Sequence, residues 1–399
     1  MKKIFITGAT GFIGGRLAEA ACQQQLPVVG LVRTWSRAAR LARLPVQMVY
    51  GDILNIDSLR RSMKGCDVVF HCAVDNRIWG EAHRRTSAEG TTNVMQAALE
   101  TGIKRVVHVS STAVFGYTPK PNAVTEEADY YYSGDDYCNG KIEAEKVALR
   151  YYQEHALPVT VLRPTIVYGP FGDYTTETIS LIRQKRMMLI NGGRGICNSL
   201  YVDNLIEALL IAAEHDKAVG QIFHISDENP ITWKEYIESH ARALEDAYLP
   251  FPEITAQDII TANKATEAAK DEMRRRSSSL KQTFNLVRDR RTRQALRTVP
   301  AVDNFARLGK SMAQTLLPAP TRSAIRQKLL NGNKNNSSAG EVQSEAPPPL
   351  SLGELYMFTA YEETSFSIDK ARRVLGYNPK IDFNEGMKRT TAWIKWARL

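Results

Sequence analysis

The chain opens on a strand-like run, KIFITG, that breaks into TGATGFIGG at residues 7–15 and continues as an alanine-rich helical pattern. Gly8, Gly11 and Gly14 remove Cβ atoms from a tight turn and let backbone approach a ligand closely. A helix that starts at such a turn presents free N–H groups, which suit a pyrophosphate. A glycine triplet alone could be a mere turn. Strand, glycines and helix in that order predict a dinucleotide-binding α/β unit.

The pattern continues in kind. After KIFITG come a helix from about Gly14, PVVGLV, a helix from about Ser36, QMVYGD, a helix from Ile56, DVVFHC, a long helix ending near Thr101, and RVVHVSS. Continuous Val- and Ile-rich runs fit strands buried on both faces of a parallel sheet. The expected fold is α/β: a doubly wound parallel Rossmann sheet over residues 1–170 and a smaller, mostly helical C-terminal substrate-binding part over 171–399. Within the latter, 201–230 returns to the Rossmann domain. Residues 250–330 read as a basic helical insertion and 331–349, rich in Asn, Ser and Pro, as a flexible linker.

Charge sharpens the view of the insertion. The formal net charge is +9, and residues 273–297 alone hold nine Lys or Arg against Asp289. The rest of the chain is therefore near neutral. Leu280, Phe284 and Val287, then Val302, Phe305, Leu308, Met312 and Leu316, make a helical apolar stripe among basic residues. This is the pattern of a membrane-surface helix over 273–316, with a solvated helix packed on the enzyme as the alternative. Nucleic-acid binding is disfavoured because aromatic interleaving is missing. No run approaches the roughly 20 apolar residues of a membrane span. The five scattered cysteines show neither C-x-x-C nor metal-like spacing, so no metal is expected and a reducing cytoplasm fits, with peripheral membrane contact added.

The ends of the strands carry the candidate chemistry. The second strand ends in Arg33, where an NAD site usually has an acid, and Arg33, with Arg37, could pair with a 2′-phosphate. NADP(H) is thus favoured and NAD(H) is the alternative; a solvated arginine is the plainer reading. Asp52 ends the third strand and could reach an adenine amino group. His71, Cys72 and Ala73 end the fourth, His71 as a packed residue. VVHVSSTAVFG ends the fifth with a hydroxyl cluster, 26 positions before Tyr137. Tyr137 and Lys141 are spaced i, i+4, which stacks them on one helical face. An ammonium near a phenol favours its ionised form, so Ser111 can orient a substrate oxygen, Tyr137 exchange a proton with it, and Lys141 lower the phenol's pKa.

At this point the sequence resembles the extended short-chain dehydrogenases/reductases, also called the NAD-dependent epimerase/dehydratase family. The resemblance runs through TGATGFIGG, GDI at 51–53, SST-x-VFG, Tyr137-x-x-x-Lys141, LRPTIVYGP at 162–170, YVDNLIEALL at 201–210 and the tail at 365–394, leaving out about 250–350. It implies that Ser111, Tyr137 and Lys141 are catalytic. It implies cofactor contacts from Gly8, Thr10, Gly11, Phe12, Ile13, Gly14, Arg33, Asp52, Ile53, Cys72, Ala73, Tyr137, Lys141, Pro164 and Val167. Thr112, Tyr168 and Tyr201 are the substrate candidates.

Two departures from the family pattern matter. Ser87 replaces the asparagine of N-V-x-G-T, and Cys197 to Asp203 replaces the R-D-(Y/F)-V-x-V-D of sugar-nucleotide members, which argues against a nucleotide-sugar substrate. LRPTIVYGP and Asp75 to Trp79 are more similar to the dihydroflavonol-reductase, 3β-hydroxysteroid-dehydrogenase and hopanoid-associated epimerase branches. The expected activity is NAD(P)-dependent hydride transfer to or from a secondary alcohol or ketone, of a small-molecule, apolar or lipid-linked substrate. A sugar epimerase or dehydratase is the runner-up. A non-catalytic cofactor-binding scaffold recruited to membranes is the alternative from another class, and a homodimer is left open as the assembly.

Overall fold

The computed structural model describes residues 2–74, 81–116, 122–244, 249–261 and 363–399, with Lys264 and Phe358. The chain divides into two compact units, Met1–Ile259 with Pro349–Leu399, and Ile260–Pro348. The second unit holds the basic stripe of 273–316 and nearly all of the linker 331–349; both lie outside the described residues, as do Asp75 to Trp79. The insertion begins later than its composition suggests. Phe251 is buried, and Glu253–Ile254 pairs in parallel with Leu189–Ile190 in the first unit.

Seven parallel strands form the central sheet: β1 (Ile4–Thr7), β2 (Val28–Val32), β3 (Val46–Tyr50), β4 (Val68–His71), β5 (Arg105–Val109), β6 (Val159–Pro164) and β7 (Ile222–Ile225). Their spatial order is β7-β6-β5-β4-β1-β2-β3. The chain runs outward from β1 to β3 and then crosses to the other side of β1 to begin β4. Strand order reverses between β1 and β4, and in doubly wound sheets ligands bind in the crevice beyond the carboxyl ends at that point.

The helices are α1 (Phe12–Gln23), α2 (Ile56–Met63), α3 (Glu81–Glu100), α4 (Asp136–His155), α5 (Asp173–Arg183), α6 (Val202–Glu214), α7 (Trp233–Arg242), α8 (Asp369–Leu375) and α9 (Phe383–Ala397). Side chains cap α2, α4, α7 and α9, with Asn55 accepting from the Ser58 amide, Asp135 from Cys138, Thr232 from Glu235 and Asp382 from Glu385, whereas α5, α6 and α8 start without one. α1 starts at Gly11 with no side-chain cap.

One expected helix is missing. Between β2 and β3 the chain makes two short 3₁₀ turns, at Trp35–Arg37 and Leu41–Arg43, where a helix from Ser36 was expected. Leu41 is the one fully buried large side chain in this stretch and Pro45 ends it. With so little apolar surface to cover, a longer amphipathic helix has nothing to pack.

The core between the sheet and the α3–α4 side is built from Phe5, Val29, Val69, Val94, Val106 and Ala148, among others. Beyond β6, Ile166–Tyr168 pairs with Ser199–Tyr201, and Thr364–Phe366 pairs with Asn122–Val124. The C-terminal segment is thus stitched to the side of the sheet that carries the site.

Candidate active site

Gly8 adopts φ +67, a region that penalises any Cβ, and a Cβ there would stand 2.9 Å from the Ala73 backbone. A Cβ on Gly14 would come within 2.3 Å of the Gly8 carbonyl oxygen. The loop therefore lies directly against the end of β4, with the Gly11 amide donating to the Gly8 carbonyl at 2.9 Å. A bare backbone turn, an uncapped helix and the reversal of strand order coincide, which is the cradle a dinucleotide pyrophosphate requires. The residues present fit the cofactor. Thr10, Phe12 and Ile13 belong to the same turn and first helical residues, and the Phe12 ring abuts Gly172.

The end of β3 is equally ordered. Asp52 accepts the Leu54 amide at 3.0 Å through one carboxylate oxygen, and its backbone is held by Ser58. Ile53 packs on Gly90, where a Cβ would meet its side chain at 2.5 Å, and its carbonyl accepts from Asn93 at 3.0 Å. Arg33 and Arg37 are exposed beside the end of β2.

His71 has a bonding role that its packing did not suggest. Thr7 Oγ1 accepts the Ala73 amide at 3.2 Å and is 2.8 Å from His71 Nδ1, while His71 Nε2 is 3.0 Å from Thr91 Oγ1, which donates to the Ser87 carbonyl. Only one tautomer satisfies this chain: Thr7 donates to Nδ1, and Nε2 carries the hydrogen. Burial holds the imidazole neutral, with its pKa down to about 3, and Lys141 acts in the same direction.

Tyr137 and Lys141 lie in the first two turns of α4, which begins at Asp135, whose side chain accepts the Cys138 amide at 2.9 Å. Ser111 caps the 3₁₀ turn Thr112–Phe115 through the Ala113 amide at 3.1 Å, and its hydroxyl is near enough to the phenol of Tyr137 to lower that group's pKa. Lys141 Nζ donates to the Val109 carbonyl at 3.1 Å and lies 5.9 Å from the centre of the Tyr137 ring. The three expected groups are thus together at the ends of β5 and α4, and Cys72 is close enough for the ammonium to influence it.

The electrostatics differ from expectation. Burial pushes the Tyr137 phenol up to about 12, against a lowering by Ser111, and pulls Lys141 down to about 8. In this structure burial outweighs the lowering by neighbours, so the phenol stays above its ordinary value, and the Lys141 ammonium donates to the Val109 carbonyl. Tyr137 is consequently a neutral proton donor at neutral pH, and Lys141, though lowered, is still an ammonium there. Cys72 is raised to about 12 by burial, so it is an unreactive thiol.

Thr112 faces inward and its hydroxyl reaches the Pro164 carbonyl at 3.4 Å, tying the catalytic turn to the end of β6. Val167 sits in the strand that pairs with Leu200. Tyr168 and Tyr201 are placed differently from the substrate role expected of them. Both are fully buried, 5.4 Å apart at their ring centres, and Tyr168 packs on Phe383 and Tyr236 while Gly386 makes room for both. They anchor α9. Their apolar ring area is better used in that seam than at a wet crevice.

Residues beyond the motifs complete the site. Arg163 and Glu145 form a buried ion pair at 2.6 Å; Ser110 and Tyr130 also donate to Glu145. Glu145 is four positions after Lys141 and eight after Tyr137, a spacing that could have revealed it on the same helical stripe. Tyr174 and Asp173 approach Tyr137 from α5, and both carry influence on its ionisation or share it. His83 lies against Tyr137 from α3.

The chain is similar to several known proteins. A ketoreductase of Stigmatella aurantiaca, named for 4-hydroxy-2-methyl-3-oxo-4-farnesyl-3,4-dihydroquinoline-1-oxide, is 28% identical over 260 residues, 62% of this chain and 76% of its own. UDP-glucose 4-epimerase of Vibrio cholerae is 27% identical over 63% of this chain and 79% of its own. A 2-alkyl-3-oxoalkanoate reductase of Shewanella oneidensis is 27% identical over 57% of this chain and 62% of its own. Among solved structures, UDP-glucose 4-epimerase of Thermotoga maritima superposes with a TM-score of 0.66 at 16% identity, covering 100% of both chains, which speaks for the fold. The sequence model of the NAD dependent epimerase/dehydratase family matches residues 4–226, more than half of the chain, and the chain belongs to that family.

Proposed function

We propose that this enzyme is a reductase of apolar ketones, or in reverse a dehydrogenase of the corresponding secondary alcohols, with Ser111, Tyr137 and Lys141 as its catalytic set. The observation that carries the reading is the Ser111 hydroxyl beside the Tyr137 phenol, with Lys141 one turn further on at the edge of the crevice. A nicotinamide cofactor, when bound, supplies or takes the hydride. The chain's own part is proton handling and orientation. Ser111 directs the substrate oxygen, the neutral phenol of Tyr137 gives its proton as that oxygen gains negative charge, and the Lys141 ammonium offsets the charge left on the phenolate.

The backbone cradle from Gly8 to Gly14 would hold the pyrophosphate. Asp52, Ile53, Cys72, Ala73, Pro164 and Val167 would flank the rest of the cofactor. Arg33 at the end of β2 supports NADP(H) over NAD(H), since a guanidinium suits a 2′-phosphate. A titration of the full chain with NADPH and NADH tests this choice; tighter binding of NADH would remove Arg33 from the role.

The apolar substrate class is supported by the names of two relatives, a ketoreductase of a farnesylated compound and a 2-alkyl-3-oxoalkanoate reductase, and by the absence of the sugar-nucleotide arginine from the stretch Cys197 to Asp203. Epimerisation is the second reading, favoured by the relative from Vibrio cholerae. Net consumption of NADPH with turnover distinguishes them, because an epimerase returns the cofactor unchanged. An assembly as a homodimer is kept within this proposal, and sedimentation of the full chain tests it.

The basic stripe of 273–316 supports peripheral docking on anionic membrane, each Lys or Arg near such a surface contributing about 1 kcal/mol. No helix among the described residues is long and apolar enough to cross a membrane. Flotation with phosphatidylserine vesicles tests the docking; a chain lacking 273–316 that floats equally well would contradict it.

A further inference from the structure

Phe171 is a bulky residue in a conformation that suits glycine. Its φ is +69 and its side chain is 42% exposed. A left-handed backbone at such a residue persists only where the surroundings over-determine it, and outliers of this kind gather where a site needs them. The surroundings of Phe171 are specific. The Arg40 guanidinium carbon lies over its ring, 4.3 Å from the centre, and the Trp393 ring of α9 packs on it with 5.0 Å between centres and a tilt of 51°. A guanidinium is attracted to an aromatic face.

Arg40 is itself fixed in place. Glu19 on α1 accepts from Arg40 Nε at 2.5 Å and from Nη2 at 2.9 Å, a two-pronged pair that aims the guanidinium. The side chain crosses bare helix backbone on the way: a Cβ on Gly15 would stand 3.1 Å from Arg40 Nη1 and 3.4 Å from Cδ. Gly172, the neighbour of Phe171, rests on Phe12, whose ring would be 3.1 Å from a Cβ at that position. Phe12 and Gly15 are the first and fourth residues of α1. The opening turn of α1 is thus held twice, by Arg40 and by Gly172, and the Phe171 ring joins the two holds.

The C-terminal helix closes the circuit. Arg16 Nε, next along α1, donates to Asp203 on α6 at 2.5 Å, and Arg389 Nη1 on α9 donates to the other oxygen of that carboxylate at 3.3 Å. Arg389 and Trp393 are four positions apart, which puts them on one side of α9. Contacts therefore run from α1 through Arg40, Phe171 and Trp393 to α9, and back through Asp203 to α1.

We propose that Phe171 is a positioning residue for the dinucleotide: clasped between Arg40 and Trp393, it ties the opening turn of α1 to α9, so that the first amides of α1 converge on the pyrophosphate and bound cofactor in turn steadies α9. It rests on the reading of the glycine loop as a pyrophosphate cradle. Amides at a helix start serve an anion only while the turn keeps its shape. Because coupling between two sites is reciprocal, what α9 gives the cofactor the cofactor returns to α9.

The test is fluorescence titration of the full chain with NADPH and with NADH, beside urea unfolding without cofactor. Phe171→Leu, Phe171→Gly and Arg40→Met should each weaken both cofactors about tenfold, whereas Phe171→Tyr, which keeps an aromatic face, should stay within about twofold of the wild type. Arg40→Met joined to Phe171→Leu should bind no worse than the weaker single variant, since the two changes remove one contact. Phe171→Gly relieves the backbone, so it should be no less stable than Phe171→Leu and yet bind no better. Unaltered affinity in these variants, or affinity that merely follows stability across them, overturns the proposal. So does a loss confined to NADPH, which would make Arg40 a contact of the 2′-phosphate. Hydrogen exchange of the α9 amides is the reciprocal readout: NADPH should slow it in the wild type and not in Phe171→Gly, and equal slowing in both contradicts the coupling. A wild type that binds neither cofactor would bring down the cradle reading and this proposal with it, whereas binding by the wild type with unaltered variants removes the clasp alone.

Discussion

Glu145 and Arg163 face each other at 2.6 Å across the joint between α4 and β6, with 0% and 2% of their side chains exposed. The guanidinium also reaches the Glu126 carbonyl at 3.3 Å, and its carbon lies 5.0 Å from the centre of the Phe115 ring. Ser110, the neighbour of Ser111, donates to the same carboxylate. One buried charge pair therefore ties together the three elements that carry Ser111, Tyr137 with Lys141, and Pro164.

Breaking that pair from one side leaves an uncompensated charge in a dry place. Arg163→Met or Glu145→Leu should each cost about 3–5 kcal/mol in urea unfolding. The double variant should recover most of the loss, because two apolar side chains replace a buried pair at little cost. Its kcat should nevertheless stay low, since Ser110 has lost its anchor and Ser111 its fixed position. Recovery of both stability and activity would show that the pair serves folding alone.

The glycine loop makes a prediction about binding. Gly8→Ala and Gly14→Ala place a methyl group 2.9 Å and 2.3 Å from backbone atoms that cannot rotate away. Each should weaken NADPH at least about tenfold by fluorescence titration, a loss of about 1.4 kcal/mol. Gly65→Ala is the control: its Cβ meets nothing within 4 Å, although its φ of +76 makes the substitution costly to stability. Binding there should be retained.

Much of this architecture was legible from residues. Apolar runs separated by helical patterns locate β1 to β5, because strands buried on both faces have no polar alternation to obscure them. TGATGFIGG marked the switch point because only a bare backbone permits that approach to Ala73. The spacing of Tyr137 and Lys141 and the hydroxyls that end β5 pointed to Ser111, Tyr137 and Lys141, which the fold places near one another. What escaped was set by partners far along the chain. Tyr168 and Tyr201 look like site residues until α9 is packed on them, and Glu145 looks like a surface acid until Arg163 arrives 18 positions later to pair with it. The ionisation of Tyr137 also escaped, since a sequence reveals a neighbouring ammonium but not the burial that outweighs it.

Asp227 makes a prediction about pH. Its carboxylate accepts the Tyr201 amide at 3.0 Å and Asn204 Nδ2 at 2.7 Å, and Asn204 in turn receives the Lys380 and Ile381 amides that lead into α9. Burial nonetheless raises its pKa to about 7, with Asp382 adding to the rise. The folded state then holds this proton more tightly than the unfolded chain does, so its contribution is present in full below about pH 4 and is lost as pH rises to about 7. Asp227→Asn should remove that slope. The stability of the wild type minus that of the variant, by denaturant unfolding, should fall from pH 4 to 7; a flat difference would mean that hydrogen bonds from Tyr201 and Asn204 outweigh burial.

The most direct measurement is NADPH consumption with ethyl acetoacetate by the wild type and by Tyr137→Phe, alongside the NADPH affinity of each. Removal of the phenolic proton donor should lower kcat by about 10²–10⁴-fold while leaving the dissociation constant of NADPH within about twofold, a difference under about 0.5 kcal/mol. Turnover by Tyr137→Phe at the wild-type rate would contradict the account, because no proton would then need to pass through that oxygen.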